Sequence, residues 1–474
     1  MSIDLSLDRI KHLLAHLPTY NRPTIHIAGT NGKGSVSALI SSILRTAGLT
    51  VGRFNSPHLV SVRDGISIYN KPISEEEYAA ARAEVERIDK ECDAGASSFE
   101  ILTSTALLAF QRAELDVVVL EVGLGGRLDA TNAIPGGCVL VSAVTAVDLD
   151  HQAFLGNTVE AIAREKTAIA RPGRPFVVGP QKHDSVLIVA KAVIAEAGSD
   201  FIAAVSARPR EWDDSVDGPR TDSSGFAEPL PQPVVLSMPC YSSPVNAQLP
   251  LFGAHQLDNL GTATTIISTL LTHPSCVSRL SLKQMLSPET ISSGIRSTRW
   301  PGRLSYHKLP YSKLDGLDAD TNVLVDGAHN AASAATLSDY IAHVSATQPQ
   351  APLAFILALS HSPPKTPAET LSSLFAFAHT NGAMPKISVA ATGFSSVEGM
   401  PWVKPVSPND ITRVAKDILP DVELWTAPDA TADHLNEALR WASEQAKGGL
   451  VVIAGSLYLV ADFYRLLGDG TTEL

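Results

Sequence analysis

The chain predicts an α/β fold, with doubly wound, mostly parallel sheets and helices on both faces. Three observations predict it. Apolar strand-like runs alternate with helix-spaced ones through the first half. A glycine-dense turn, Gly29-Thr30-Asn31-Gly32-Lys33-Gly34-Ser35, joins one such strand to an amphipathic helix. A second strand–helix series begins near Trp300.

Residues 24–28 read as a short strand. Val36, Leu39, Ile40, Ile43, Leu44 and Ala47 then follow helical spacing, and Gly48 is a natural C-terminal stop. Residues 51–54 form the next predicted strand, followed by helices over 75–88 and about 100–113. Residues 116–121 and 139–146 read as buried strands from their unbroken apolar character. Residues 206–246 are rich in Pro, Ser and Asp and are predicted to be an irregular excursion. A helix over about 256–271 restores order.

In the second series, 323–325 is a strand and 330–344 a helix. Residues 353–359 and 387–391 are strands, and 364–367 is a loop. Residues 449–454 form the last strand, turning through Gly455-Ser456 into a closing helix. A chain of 474 residues suggests two or three domains. The boundary is expected between Ser297 and Gly302, giving units 1–299 and 300–474.

Hydrophobic content of 45% and charged content of 18% indicate a compact globular protein. A net charge of −12 and a pI near 5.6 argue against a general nucleic-acid binder. No apolar run reaches the length of a bilayer span, so no membrane partner is expected. The N-terminus has neither a signal-type apolar region nor the Arg-rich character of a transit peptide, and a cytoplasmic location is expected. Cys92, Cys138, Cys240 and Cys276 are scattered, and read as ordinary reduced thiols with no zinc-type pair.

The turn over 29–35 offers backbone amides, a helix N-terminus and a lysine to one polyphosphate, so a nucleotide is expected here. It departs from the usual Walker spacing. Ile27 stands where the first Gly belongs, and Gly34 displaces the hydroxyl residue to Ser35. Lys33 is expected at the β/γ-phosphates, and Ser35 facing a magnesium ion.

Ser56, Glu121 and His151 lie at or just beyond the carboxyl ends of predicted parallel strands, where open α/β sheets place ligands. A hydroxyl, a carboxylate and an imidazole suit magnesium shells beside the loop. The competing reading for Glu121 is a capping or salt-bridged acid. A lone histidine such as His151 is more often a satisfied structural residue. In the glycine-dense loop 121–129, Asp129, like Asn132 beyond it, also fits a simple turn-shaping role.

In combination these motifs resemble the Mur-ligase superfamily and, within it, the folylpolyglutamate synthase/dihydrofolate synthase family. The matching segments are 29–35, 56–59, 99–100, 121–132, 150–151 with 155–156, 165–166, 300–304, 326–330 and 455–456. They run in family order through nearly the whole chain. Residues 397–402, Val-Glu-Gly-Met-Pro-Trp, and the short N-terminus are most similar to the fungal dihydrofolate synthase branch.

The resemblance implies an N-terminal three-layer P-loop ATPase domain and a smaller Rossmann-like C-terminal domain. It implies ATP-dependent joining of L-glutamate to a pteroate carboxylate through an acyl phosphate, by a monomer using Mg2+, with two ions expected. Asn31, Gly32, Lys33, Gly34 and Ser35 would hold the phosphates. Ser56, Glu121 and His151 would be metal ligands. Lys166 matches a lysine that is carbamylated in the family, and would support the second ion. Asn259 would contact adenine, while Arg303 and Asp326 would reach the phosphates and ribose. His329 would lie near the transferred phosphoryl group. Phe99, Glu100, Leu128, Asp129 and Ala130 match the pterin-side pocket.

There are departures from the family pattern. Asp64-Gly65-Ile66 stands where many relatives have Glu-Arg-Ile, so a cation is missing there. Ser360-His361-Ser362-Pro363 lacks the Asp-Lys often found after the third C-domain strand. Two activities fit: ligation of L-glutamate to 7,8-dihydropteroate, or extension of a folate glutamate tail, alone or as a second activity. A P-loop kinase or regulatory NTPase fits less well. The strand over 116–121 ends in Glu rather than a Walker-B Asp, and there is no Asn-Lys-x-Asp motif.

Overall fold

The computed structural model describes residues 6–220, 226, 228–279, 284–310, 320–361, 366–379, 385–396 and 403–468. The fungal-type motif at 397–402 lies outside the described residues, as do Ser362 to Lys365 of the expected loop and departure.

The first half builds one eight-stranded sheet. Its strands are β1 (Thr24–Ala28), β2 (Val51–Phe54), β3 (Ile66–Ile68), β4 (Lys71–Pro72), β5 (Val117–Glu121), β6 (Val139–Val144), β7 (Pro175–Val178) and β8 (Asp200–Ala203), in the order β4-β3-β2-β5-β1-β6-β7-β8. The six strands from β2 to β8 along that order pair in parallel, and β3 and β4 add antiparallel edges. The central strands are buried on both faces, which is why they read as continuous apolar runs.

Helices cover both faces. On one lie α1 (Asp8–Ala15), α3 (Glu75–Glu91) and α4 (Ser98–Arg112), packed on Phe54, Val118 and Leu120. After a short α5 (Gln152–Leu155), α6 (Val159–Thr167) and α7 (Asp184–Glu196) continue that face over Val144, Phe176 and Val178. On the other lies α2 (Lys33–Thr46), packed on Ile25, Ile27 and Val119. Gly48 follows α2 at φ +90°, as expected of a stop.

The expected irregular excursion is corrected by the structure. Residues 206–249 contain β9 (Arg208–Pro209), α8 (Asp214–Asp217), β10 (Gln232–Leu236) and β11 (Val245–Leu249), and the strands form an antiparallel three-stranded sheet. Val234, Leu236, Val245, Ala247 and Leu249 join the core that surrounds α2. Composition hid this, because the alternate apolar residues are few and short strands carry weak signals. Then come α9 (His255–Thr272), α10 (Pro274–Val277) and α11 (Pro288–Arg296), of which α9 and α11 also pack on α2.

A six-stranded sheet follows: β12 (Ser305–Leu309), β13 (Thr321–Val325), β14 (Leu353–Leu357), β15 (Ile387–Ala391), β16 (Glu423–Thr426) and β17 (Leu450–Ala454). Its order is β12-β13-β17-β14-β15-β16, parallel except for β12. One face carries α12 (Ala331–Thr347), α13 (Pro367–Leu374) and α14 (Pro408–Ile418), the other α15 (Leu435–Gln445) and α16 (Leu457–Leu467). No described helix is long and apolar enough to cross a membrane.

Candidate active site

The site is built on the loop between β1 and α2. Gly32 caps α2 at φ +91° and, lacking a side chain, gives no cap hydrogen bond, so the first amides of the helix stay available. A Cβ on Gly32 would stand 2.2 Å from Asn259 Oδ1, and one on Gly29 1.8 Å from Thr145 Oγ1. The neighbours therefore require glycine at both places. The loop is tied to the end of β6: the amides of Thr30 and Asn31 both donate to Ala146 O, at 2.9 and 3.2 Å. Thr145 Oγ1 donates to Asn31 O at 2.7 Å, and Thr30 Oγ1 to Asp148 O at 3.0 Å.

Two lysines converge on this loop. Lys33 Nζ donates to Gly29 O at 3.0 Å and Thr30 O at 3.1 Å. Lys166 Nζ, on α6, donates to the same Gly29 O at 2.9 Å and is buried. Burial, with repulsion from Lys33, pulls the Lys166 ammonium down from 10.5 to about 7, against the attraction of Asp150 and Asp129.

Glu121 ends β5 on the α2 side of the sheet. It is buried, 3.9 Å from Lys33 Nζ, and accepts a short hydrogen bond from Asn55 Nδ2. Burial pushes its carboxyl up, opposed by Lys33, Asn55, Arg303 and Arg53. Ser56 follows Asn55 directly, and its hydroxyl is buried with no hydrogen-bond partner. That orphaned oxygen, one residue on from the Asn55 that bonds Glu121, fits a hard cation, which takes oxygen ligands. His151 lies beyond the end of β6, before α5. Its ring is about half exposed and faces Asp150 at 3.7 Å.

Ser35 is linked to α9, where Gln256 Nε2 donates to Ser35 Oγ at 3.2 Å and Asn259 Nδ2 donates to Gln256 Oε1 at 2.9 Å. Asn259 thus lies against the phosphate loop. Gln256 was not singled out by the sequence; its only signal is its i−3 spacing from Asn259. Arg53 was also missed. It is buried on β2, its guanidinium sits 5.0 Å from the Trp300 ring centre, and Nε and Nη2 have no partner. Desolvation lowers it from 12.5 to about 10. A Cβ on Gly34 would stand 2.3 Å from the same indole, so Trp300 bridges the start of α2 and Arg53.

One residue beside the second sheet, Arg303, reaches this face. Arg303 Nη1 donates to Gly302 O at 2.8 Å, and its charge is felt at Glu121. Asp326 is buried and accepts from the Leu304 and Ala328 amides, each at 2.8 Å, pinning the 302–304 turn to the end of β13. His329 Nδ1 donates to Gly327 O at 2.9 Å, which leaves Nε2 as the acceptor in the neutral ring. It lines a cavity of about 400 Å3 with His361, Thr366, Asp410 and Arg413.

On the opposite face, Phe99 packs on Gly123 and near Phe54. Glu100 is buried and accepts from the Ser97 amide at 2.7 Å and from Arg9 Nε at 3.1 Å. Asp129 accepts from the amides of Leu124 and Thr131, so it shapes the glycine-dense loop between half-buried Leu128 and buried Ala130.

The chain is 33% identical over 473 residues to the dihydrofolate synthetase of Saccharomyces cerevisiae, covering 98% of each. The chain belongs to the dihydrofolate synthetase/folylpolyglutamate synthase family. Residues 308–466 match the family described as dihydrofolate synthetase, C-terminal domain. A probable dihydrofolate synthetase of Schizosaccharomyces pombe is 32% identical, over 98% of this chain and 99% of its own. Among solved structures of the family, Mycobacterium tuberculosis folylpolyglutamate synthase complexed with ADP and AMPPCP superposes with a TM-score of 0.73, at 26% identity, over 98% of this chain and 96% of that one. Escherichia coli FolC in complex with DHPP and ADP gives 0.70 at 26%, over 99% and 94%.

Proposed function

We propose that the chain is a dihydrofolate synthase. It joins L-glutamate to 7,8-dihydropteroate at the expense of ATP, releasing ADP and phosphate. One observation carries this reading: a half-buried phosphate loop with two lysines on it and Glu121 beside it, in a chain alike over its full length to a dihydrofolate synthetase.

A carboxylate is a poor electrophile. Transfer of the γ-phosphoryl group to the pteroate carboxylate gives an acyl phosphate, and the α-amine of L-glutamate then displaces phosphate to form the amide. Catalysis of such a transfer is mainly positioning and charge neutralisation. Asn31, Gly32, Lys33, Gly34 and Ser35 bind the phosphates, with Arg303 adding positive charge from the second domain. Asn259 and Asp326 border the nucleotide, on its adenine and ribose sides. His329, its ring held by Gly327 O through Nδ1, borders the acyl group and the amine. Phe99, Glu100, Leu128, Asp129 and Ala130 frame the pterin side.

Ser56, Glu121 and His151 would hold Mg2+, which neutralises charge on the phosphate oxygens when bound. The buried orphan hydroxyl of Ser56 supports this. Lys166 is read as the carbamylated lysine. Burial and the repulsion of Lys33 favour its neutral amine, the form that adds CO2 and gives up a proton. The carbamate would replace a repelled cation by an anion able to support a second metal ion. The two sheets support a division into units 1–299 and 300–474. We read the chain as a cytoplasmic monomer.

The second reading, tail extension of tetrahydrofolate, is favoured by the likeness to folylpolyglutamate synthase structures. Purified protein separates the two. Glutamate-dependent ADP release with dihydropteroate and none with tetrahydrofolate is expected.

A further inference from the structure

Far along the chain from the phosphate loop, α1 and the end of α3 place three metal-type ligands together. His12 and His16 are four residues apart, so they share one face of α1 and its C-terminal turn. Cys92 caps α3 and comes from a distant part of the sequence. One ligand atom from each lies within 4.8 Å of the others. Both imidazoles are exposed and Cys92 is half-buried, so an ion has access.

A hydrogen bond to a backbone carbonyl holds one nitrogen of each ring. His16 Nδ1 meets His12 O at 2.9 Å, and His12 Nε2 meets Cys92 O at 2.9 Å. A carbonyl only accepts, so these nitrogens carry the protons. Each ring is left with one lone-pair nitrogen, the arrangement of a ligating histidine whose other N–H is held by a backbone carbonyl. Two imidazoles and a thiol favour a borderline-soft ion over Mg2+.

We propose that His12, His16 and Cys92 form a site for a divalent ion of the Zn2+ type, which clamps α1 to the end of α3. Three protein ligands and a water complete a tetrahedron, in which donors lie about 3.5 Å apart. Small rotations of three accessible side chains supply the contraction. On binding, the Cys92 thiol gives its proton to solvent and its sulfur coordinates the ion. The clamp has a consequence one turn away, since Arg9 on α1 holds Glu100. The bound ion thereby steadies the wall read above as the pterin side. That coupling rests on the proposed substrate; the metal site does not.

The test uses the full chain, freed of metal by chelation and titrated with Co2+ without nucleotide. One equivalent is expected to give a thiolate-to-cobalt charge-transfer band that Zn2+ displaces. Cys92→Ser should abolish that band, and His12→Ala or His16→Ala should weaken Zn2+ binding by roughly tenfold or more. Zn2+ should also raise the thermal midpoint more in the wild type than in folded Cys92→Ser, whose ligase activity without Zn2+ stays unchanged. A wild-type spectrum without the band, or a band that survives in Cys92→Ser, overturns the site. Equal midpoint shifts in the two proteins overturn the clamp. Neither result bears on dihydropteroate turnover, so failure here is distinct from failure of the proposed activity.

Discussion

Gly29 O accepts from both Lys33 and Lys166, so the two side chains meet at the loop where a polyphosphate would sit. Lys33→Ala is expected to lower kcat/KM by about 10^2- to 10^3-fold, a loss typical of one transition-state charge contact. Steady-state kinetics check it, with circular dichroism showing an intact fold. Lys166→Ala is expected to be similarly impaired and partly rescued by added short carboxylates, because they can replace the carbamate's charge. Wild-type turnover in that variant would remove Lys166 from the site. Not every residue here was legible in the sequence. Lys33 and Glu121 were, because a strand–glycine–helix turn and an acid closing an apolar strand are local signals. Arg53 was not, since its partner Trp300 is brought to it only by folding.

The phosphate loop and its flanking strand and helix were readable because each obeys a local period. Edge elements were not. β12 mixes exposed and buried positions, and β9 spans only Arg208–Pro209. The sheet around β10 is also anchored by polar contacts that composition does not reveal. Arg210 grips Asp217 through two hydrogen bonds of 2.6 Å, and Gln248 Nε2 adds one at 3.1 Å to the same carboxylate. Arg210 holds the Asp217 carboxyl down from 3.8 to about 2. The unfolded chain therefore binds the proton first. The contribution of this pair is complete above pH 3.8 and disappears as pH falls towards about 2. Asp217→Ala is expected to loosen this segment, read as faster limited proteolysis within residues 206–246. An unchanged cleavage rate would show that the pair does not anchor it.

Two properties belong to the whole molecule. His26 is fully buried in β1, with Nε2 bonded to Thr131 Oγ1 at 2.9 Å and Nδ1 unpartnered. Burial pulls it from 6.5 down to about 3. Between those values the unfolded chain binds a proton that the folded chain refuses, so His26 makes stability fall as pH drops through that window. Thermal midpoints between pH 7 and pH 5 should fall more steeply for the wild type than for His26→Gln; equal slopes would contradict this. Arg303 lies just before β12 of the second sheet, and its charge reaches Glu121 at the end of β5 in the first. Arg303→Ala is expected to leave the fold intact and depress turnover, because its contribution needs the two sheets brought together. The central claim is ligation of L-glutamate to dihydropteroate. Its most direct measurement is ADP release by the purified protein with ATP, Mg2+ and L-glutamate, comparing dihydropteroate with tetrahydrofolate as acceptor. Release that requires glutamate and occurs with dihydropteroate alone is the predicted result; release with tetrahydrofolate and none with dihydropteroate would contradict it.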